Sequence, residues 1–593
     1  VSLFTARCCI IVVLAALGRT AAAQPADARA SAASPVVFRN VNVASMVDDR
    51  LDAARTVVIR DGRVAQIGLA DAVTVPAGAT VIDGTGRFLM PGLTDAHVHF
   101  EAWQGFRPAF GDAALYLAHG ITSVVNLRGT AASFDWKQRV DRGELIGPTI
   151  YTAGEFIIGP NGPALRRESG ELVVGPNVTT PEDVAREVAT QAGQGVDVLK
   201  FYGGLSRPAY LELAASARRA GIPVVGHRPI NLDFDAVLET HQALAHVHML
   251  TNLYFWPFSS RMPIVVANVA ALFALVLIAA SSGAGALFRR RRLPAAPPAA
   301  RRLRVLTGWL LLAALIFLLA ATDVFFANLL SPGVLLVTFG VLATFMFTVT
   351  LLLAIAAAAL WRDREAPVMT RLRAILTCVT SLFLVFALVT FWIPSTWRAT
   401  SPGLERLARE LRDAEVFVQT TLVAFAVLTS GPEELRTMQR DPGLDYLAPE
   451  IRHAWRQLPT QFAPAVPPPA LDFMKRVTAS LHRGGVRLVA GTDALGAPLI
   501  VPGESLHDEL QILLDCGLSP YEAIRTATTH AAAFLRKEDE FGTVAVGKRA
   551  DLLLVDRNPL ADLEAVKRPR GVMVRGRWLT REQLDQMLAA LVN

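Results

Sequence analysis

Two histidines one residue apart close an apolar run, Phe88-Leu-Met-Pro-Gly-Leu-Thr-Asp-Ala-His-Val-His-Phe100. Side chains two positions apart in a β-strand point to the same side, so His97 and His99 project together from a strand end as a metal-binding pair. Alone, such a pair also suits ordinary strand histidines. Further along, however, other apolar stretches end on polar groups: Lys200 in GVDVLK, His227 in IPVVGH, His246 in QALAH and Asp493 in VRLVAGTD. Four imidazoles and a carboxylate make a ligand set for zinc or a related divalent ion. Lys200 is the odd member, because an ammonium does not bind a cation, and a strand-end lysine reaching solvent is its ordinary reading.

The segments that must hold these groups alternate between strand-like and helix-like patterns. Apolar runs at Ile121–Asn126 and Pro148–Ala153 precede a helical stretch at Pro181–Gln194, then come Gly195–Lys200, a helix over Pro208–Ala220, and Ile222–His227. Gln242–His246, Glu415–Thr420 and Val486–Asp493 follow. This order predicts an α/β fold with a parallel sheet, and eight such units close a (β/α)8 TIM barrel. Catalytic groups in such barrels come from the C-terminal strand ends, which is where the pattern puts these six side chains. Short strand patterns at Val36–Asn42, Val57–Arg60, Arg63–Ile67 and Thr80–Ile82, with Gly542–Val555 and Gly571–Leu579, predict a small β-sandwich built from both termini.

The run ending in His99 resembles the first barrel strand of the amidohydrolase superfamily, P-G-L-(I/T)-D-x-H-x-H. Residues 36–253 and 415–580 fit that family's order of elements. The resemblance implies two divalent metal ions, zinc first, with His97 and His99 on one, His227 and His246 on the other, and Asp493 on the first. It also implies that Lys200 is carboxylated by CO2 to a carbamate bridging both. His227 stands in VVGHRP, similar to the fifth-strand GHVP of extracytoplasmic prolidase-like and imidazolonepropionase-like members, with Arg228 where that subgroup often has an apolar residue. His246 in ALAHV resembles the sixth-strand pattern, but His248 points the same way, so the choice between them stays open. His248, Arg228 and Tyr202 are candidates for substrate contact or for an outer layer around the metals. Asp493 in AGTDA matches the last-strand aspartate that touches metal and moves protons, a helix N-cap being its other reading. His241 reads as structural, and His507 in GESLHDEL as lining the mouth or packing locally. The implied reaction is hydrolysis of a C–N bond in an amide, peptide or cyclic imide by a metal-bridged hydroxide, with Asp493 carrying the proton to the leaving nitrogen. The alternative is an extracytoplasmic ligand-binding sensor on the same barrel.

With 593 residues, 52% of them hydrophobic, and a mean hydropathy of +0.37, the chain is too apolar for an enzyme without membrane segments. Four stretches, near Pro263–Leu287, Val305–Phe325, Val334–Trp361 and Ala374–Ile393, each reach the roughly 20 residues that cross a bilayer as a helix. Arg289–Arg292 with Arg301, Arg302 and Arg304 follow the first stretch, and Arg362, Arg364, Arg371 and Arg373 the third. Basic loops stay cytoplasmic, which places both ends of this inserted all-α four-helix module, and the catalytic domain, on the extracytoplasmic (periplasmic) side. The same arginines explain the net charge of +6, so no nucleic-acid partner is expected. Residues 1–23, with the apolar run from Cys8 to Leu17 and Ala21–Ala23, read as an export signal. Cys378 and Cys516 then imply no disulfide framework. The expected division is signal 1–23, sandwich 36–88, barrel strands one to six 89–253, membrane insertion 254–401, strands seven and eight 402–540, and sandwich 541–593. The expected partners are a small amide or peptide substrate and the lipid bilayer. Because the insertion leaves a βα loop on the catalytic side, the substrate is either amphipathic or, if the helices are only a tether, unconstrained by them.

Overall fold

Eight short parallel strands alternate with helices along the chain. They are β1 (Leu93–Val98), β2 (Ile121–Asn126), β3 (Thr149–Thr152), β4 (Leu199–Gly203), β5 (Val224–Gly226), β6 (Ala243–Ala245), β7 (Val418–Gln419) and β8 (Leu488–Val489). The structure is a computed structural model that describes residues 34–100, 112–163, 165–166, 172–229, 232–255, 274, 298–322, 332–458 and 469–592. β1, β2 and β3 form one parallel sheet. β4 to β8 pair in sequence order in a second, with Ile157–Ile158 on its outer edge. The ladders do not run on between the sheets. Instead, Asp197 N donates to Thr152 O at 2.9 Å beside β4, and Asp493 N donates to His97 O at 2.8 Å beside β8. Every residue of β1 and β2 is buried, as expected of parallel strands covered on both faces.

Local signals place the intervening helices. The helix Pro181–Gln194 opens with a capping box, in which Asp183 N donates to Thr180 Oγ1 at 3.2 Å while the Asp183 carboxylate accepts from Thr180 N at 3.0 Å. Pro181 fits its first turn, and Gly195 ends it at φ +78°. The next helix, Arg207–Ala220, ends in the same way on Gly221. Lys200 departs from the expected strand end, being the second residue of β4. Pairing with β5 begins only at Leu199 opposite Val224, because Asp197 is bonded to the end of β3. Asp493 likewise lies beyond β8, in a turn at φ +63°.

Both termini contribute to one eight-stranded sheet, in the order Arg577–Thr580, Gly571–Val574, Leu552–Val555, Phe88–Pro91, Val36–Ala44, Leu51–Arg60 and Arg63–Leu69, with Thr80–Asp83 also on Val36–Ala44. Within the expected strand Gly542–Val555 a continuous strand forms at Leu552–Val555, against Phe88–Pro91, the segment that leads into β1, while Arg549 makes a single bridge to Arg63. Arg549 ties this sheet to the parallel strands: its guanidinium donates to Asp551 Oδ2 at 2.5 Å, to the Tyr151 hydroxyl of β3 at 3.1 Å and to Ser123 Oγ of β2 at 3.2 Å.

The inserted module has its own apolar cluster, separate from the main core. Its helices are α1 (Pro298–Thr322), α2 (Pro332–Arg362) and α3 (Val368–Ala387), the last running on through Leu388–Trp392 to Arg398. Phe317, Phe339 and Trp392 interlock at ring distances of 5.3 to 6.1 Å. Thr350 and Ser381 bond to each other inside, while Leu319, Val337, Val341, Leu351 and Phe383 face outward. Among the described residues two helices are long and apolar enough to cross a bilayer, Leu335–Arg362 and Val368–Arg398. Two of the four expected spans are thus present as such helices, and α1 covers most of a third stretch. Residues 263–273 and 275–287 of the first stretch, Arg289–Arg292, and the expected signal at 1–23 lie outside the described residues. β6 before the module and β7 after it are neighbours, with Leu244 opposite Val418 and Ala245 opposite Gln419.

Arg549 and Asp551 are largely buried, with side-chain exposures of 15% and 4%. Replacing Arg549 by Met removes the carboxylate's ion-pair partner and leaves it the Arg575 amide at 2.7 Å; breaking a buried ion pair costs about 3–5 kcal/mol. Calorimetry is expected to show a lower unfolding temperature for Arg549→Met and partial recovery in Arg549→Met/Asp551→Leu. Equal loss in both would assign the effect to packing instead.

Candidate metal centre

At the C-terminal end of β1, His97 Nε2 and His99 Nε2 lie 3.4 and 3.1 Å from Asp493 Oδ1. One ligand atom from each of the three residues lies within 4.8 Å of the others, so His97, His99 and Asp493 form a group that can hold a metal ion. The chain achieves this by folding the turn after β8 over the end of β1. His99 N donates to Ala494 O at 3.0 Å, and the backbone at Gly491 sits so close to His97 that a Cβ there would come within 2.6 Å of the His97 Cβ. Asp493 adopts φ +63°, a left-handed conformation that aspartate tolerates better than most residues. The buried Asp95 carboxylate fixes the turn: it accepts from Thr492 Oγ1 at 2.6 Å, Thr492 N at 3.0 Å and His97 N at 3.3 Å.

A second layer sets which imidazole nitrogen faces inward. Gln419 of β7 donates through Nε2 to Ala96 O at 2.7 Å, so its Oε1, 2.9 Å from His97 Nδ1, must accept. The His97 proton therefore sits on Nδ1 and the Nε2 lone pair points toward Asp493. That Nε2 is buried and has no hydrogen-bond partner. Thr421 Oγ1 lies 2.8 Å from His246 Nδ1 and orients that ring, the hydroxyl being able to donate or accept. The His246 ring is 4.5 Å from that of His97 and 5.3 Å from that of His227. Tyr202 stacks between Phe156 and His227, at ring distances of 4.6 and 4.4 Å.

Burial governs the charges of this group. It pushes Lys200 down to about 7, opposed by the nearby Asp493 carboxylate, and the Lys200 Nζ is buried without a hydrogen-bond partner. His97, His227 and His246 are held well below the ordinary imidazole range, first by burial and then by Lys200 and neighbouring histidines. Neutral imidazoles, a carboxylate and two buried nitrogens without partners fit divalent cations, which bind deprotonated ligands.

Of the expected residues, His97, His99 and Asp493 form the group within ligand distance, and the His246 ring lies against His97 and that of His227 against His246. His246, rather than His248, has a nitrogen fixed by the protein and a ring against His97. His248 lies behind it, 4.3 Å from the Phe425 ring, and burial with the charge of Arg228 pushes it down to about 3. Arg228 is half-buried beside His227 and His248. His241 ends the helix Phe234–Thr240 with its Nδ1 2.6 Å from Ala414 O, a structural role. His507 is bonded through Nε2 to His119 O at 2.9 Å, next to the N-terminal end of β2 and so at the opposite strand ends from the histidine cluster. It packs locally and does not line the mouth. Asp95, Gln419, Thr421 and Glu509 do not figure among the sequence candidates. Asp95 has a visible signal, sharing the alternating side with His97 and His99, whereas the others belong to the site only through contacts far apart in sequence. Of the loops expected to select substrate, Trp103–Gly111 lies outside the described residues, as does much of Asn161–Pro176.

Residues 472–579 match the family model described as the amidohydrolase family. That match spans the segment from before β8 to the last strand of the terminal sheet. The adenine deaminase of Rubrobacter xylanophilus is 33% identical over 118 residues, a stretch that is 18% of this chain and only 20% of that relative's length. A solved bottromycin amidohydrolase superposes with a TM-score of 0.55 at 23% identity, covering 94% of this chain and 90% of that one. A putative prolidase from Bifidobacterium longum does so with a TM-score of 0.51 at 17% identity, covering 95% and 100%. At these identities the structural likeness establishes the fold and nothing more specific.

If the Gln419 amide sets the His97 tautomer, Gln419→Leu should weaken zinc binding by about 10- to 100-fold, the usual effect of losing an outer partner of a metal-binding histidine. Competition against a chromophoric chelator measures this, and an unchanged affinity would remove the tautomer argument.

Proposed function

We propose that this chain is a metal-dependent hydrolase of C–N bonds in the amidohydrolase family, acting on an amide, peptide or cyclic imide, and that its two sheets close as a (β/α)8 barrel held at a bilayer. The observation that carries the reading is the convergence of His97, His99 and Asp493 with buried His97 Nε2 and Lys200 Nζ, neither of which has a protein partner. The names of the relatives, a deaminase, an amidohydrolase and a prolidase, agree on C–N chemistry.

In this reading His97, His99 and Asp493 would hold one ion, His227 and His246 would hold a second, and Lys200, as a carbamate, would add an anionic ligand. Bound divalent ions would supply a nucleophile at neutral pH and polarise the scissile carbonyl. The remaining work falls to the chain. The neutral Lys200 amine adds to CO2, forming an N–C bond and releasing a proton, which replaces an amine that cannot serve a cation with an anionic ligand. Asp493, whose side chain is 19% exposed, is the acid–base group that can meet substrate: it accepts a proton from the attacking water and delivers it to the leaving nitrogen. Tyr202 and Phe156 form an aromatic wall beside His227, with Arg228 and His248 on its other flank.

The adjacency of β6 and β7 supports the membrane reading. A chain that leaves one sheet and returns to the next position in it crosses a bilayer an even number of times, as four spans require. The arginine-rich loops would then lie in the cytoplasm and the metal centre outside it. An amphipathic substrate is favoured by the helix Leu422–Thr429, apolar from Leu422 to Leu428, which carries Phe425 against His248.

Replacing Asp493 by Asn in the purified full chain should lower kcat by about 10²- to 10⁴-fold, the range of general acid–base catalysis, with metal content largely kept. Turnover that survives would remove Asp493 from its role, and a wild-type chain that binds small amides without cleaving them would indicate a sensor. For the substrate, kcat/KM is expected to rise with acyl length across N-acyl amino acids; a preference for Xaa-Pro dipeptides would defeat the amphipathic reading.

A further inference from the structure

The helix after β7, α4 (Leu422–Thr429), begins in an unusual way. The first amides of a helix have no partner within it, and the residue before them commonly supplies one through its side chain. Here that residue is Thr421, and its hydroxyl makes no such bond, because it is engaged 2.8 Å from His246 Nδ1. Thr421 also sits at φ +46°, a conformation that a β-branched residue keeps only when its surroundings impose it. The missing cap comes from Glu509, on the helix Glu504–Asp515 that follows β8. Glu509 is fully buried. Its Oε2 accepts from Val423 N at 2.7 Å, Oε1 accepts from Thr420 Oγ1, and the Leu422 amide beside them also favours the charged carboxylate. Both oxygens are thus spent on the turn Thr420–Val423. On one side of that turn stands Thr421, holding His246; just before it stands Gln419, holding His97.

We propose that Glu509 is a positioning residue for the metal centre, taking over the helix cap so that Thr421 is free to orient His246 and Gln419 is held in register against His97. This rests on the metal-centre reading above. The two imidazoles are thus oriented from one short segment, Gln419–Thr421, and a carboxylate from a different βα unit holds it.

Cobalt(II) titration of the purified full chain in detergent, followed by visible absorption, tests this together with amide hydrogen exchange of the metal-free protein over residues 418–425. Glu509→Gln keeps the shape and one acceptor for Val423 N, but it removes the charge and forces the bond to Thr420 Oγ1 to reverse, with the amide donating to the hydroxyl. It should weaken cobalt affinity by about 10- to 100-fold, alter the cobalt spectrum, and speed exchange at Leu422 and Val423 while leaving β2 protected. Thr421→Val should weaken affinity similarly, and the double variant should add little, because both act through one turn. A Glu509→Gln chain with wild-type cobalt affinity and spectrum, even one that melts earlier, would overturn the proposal while leaving the metal centre standing. If Glu509→Gln does not fold, Thr420→Val, which removes one bond to the same carboxylate, is read instead: a weakened affinity supports the role and an unchanged one overturns it. A wild-type chain that takes up no cobalt would overturn both this proposal and the metal-centre reading.

Discussion

The closure of the turn after β8 onto the end of β1 is the contact from which the site follows. Asp493 N on His97 O, His99 N on Ala494 O and the Asp95 carboxylate on Thr492 bring together residues separated by nearly four hundred positions. Each bond is made by backbone or by a buried acid, so the geometry is held by groups that have no alternative partner in water. Loss of a buried hydrogen-bonding partner leaves its mate unsatisfied, which is why such contacts fix position more firmly than the same bonds at a surface.

Around that contact the centre is built in two layers with different chemistry. The inner layer consists of His97, His227 and His246, held well below the ordinary imidazole range by burial, with His99, an amine pushed down to about 7 and one carboxylate. The outer layer consists of Gln419, Thr421 and Asp95, which assign protons and directions to the inner groups. Glu509 stands behind that layer, on the turn that carries two of its members. The short strands β7 and β8, two residues each, show why this support is needed: little ladder remains there to hold the turns, and buried side chains do it.

The helical module inverts the usual distribution of polarity, with Thr350 and Ser381 bonded inside and large apolar side chains outside. It is inserted between two strands that pair with each other, so it interrupts the sequence of the sheet without interrupting the sheet. That arrangement lets a membrane-type element and a metal-type site share one chain while each keeps its own apolar cluster.

Sequence by itself determined the parts governed by local periodicity. β2 and the helix Pro181–Gln194 fall at their expected boundaries because β-branched runs, capping boxes and terminal glycines act over a few residues. The pair His97 and His99 was legible for the same reason, strand alternation, and so was the apolar length of α2 and α3. What needed the tertiary structure was anything set by contacts between distant segments. Lys200 moved inward from the strand end because Asp197 bonds to β3, and His246 was separated from His248 by the hydroxyl of Thr421. His507 was turned to the opposite strand ends by its bond to His119, and Gln419 and Glu509 became part of the site at all only through folding. Hydrogen bonds between buried groups far apart in the chain leave no period in the sequence, and here they decide which nitrogen faces the centre.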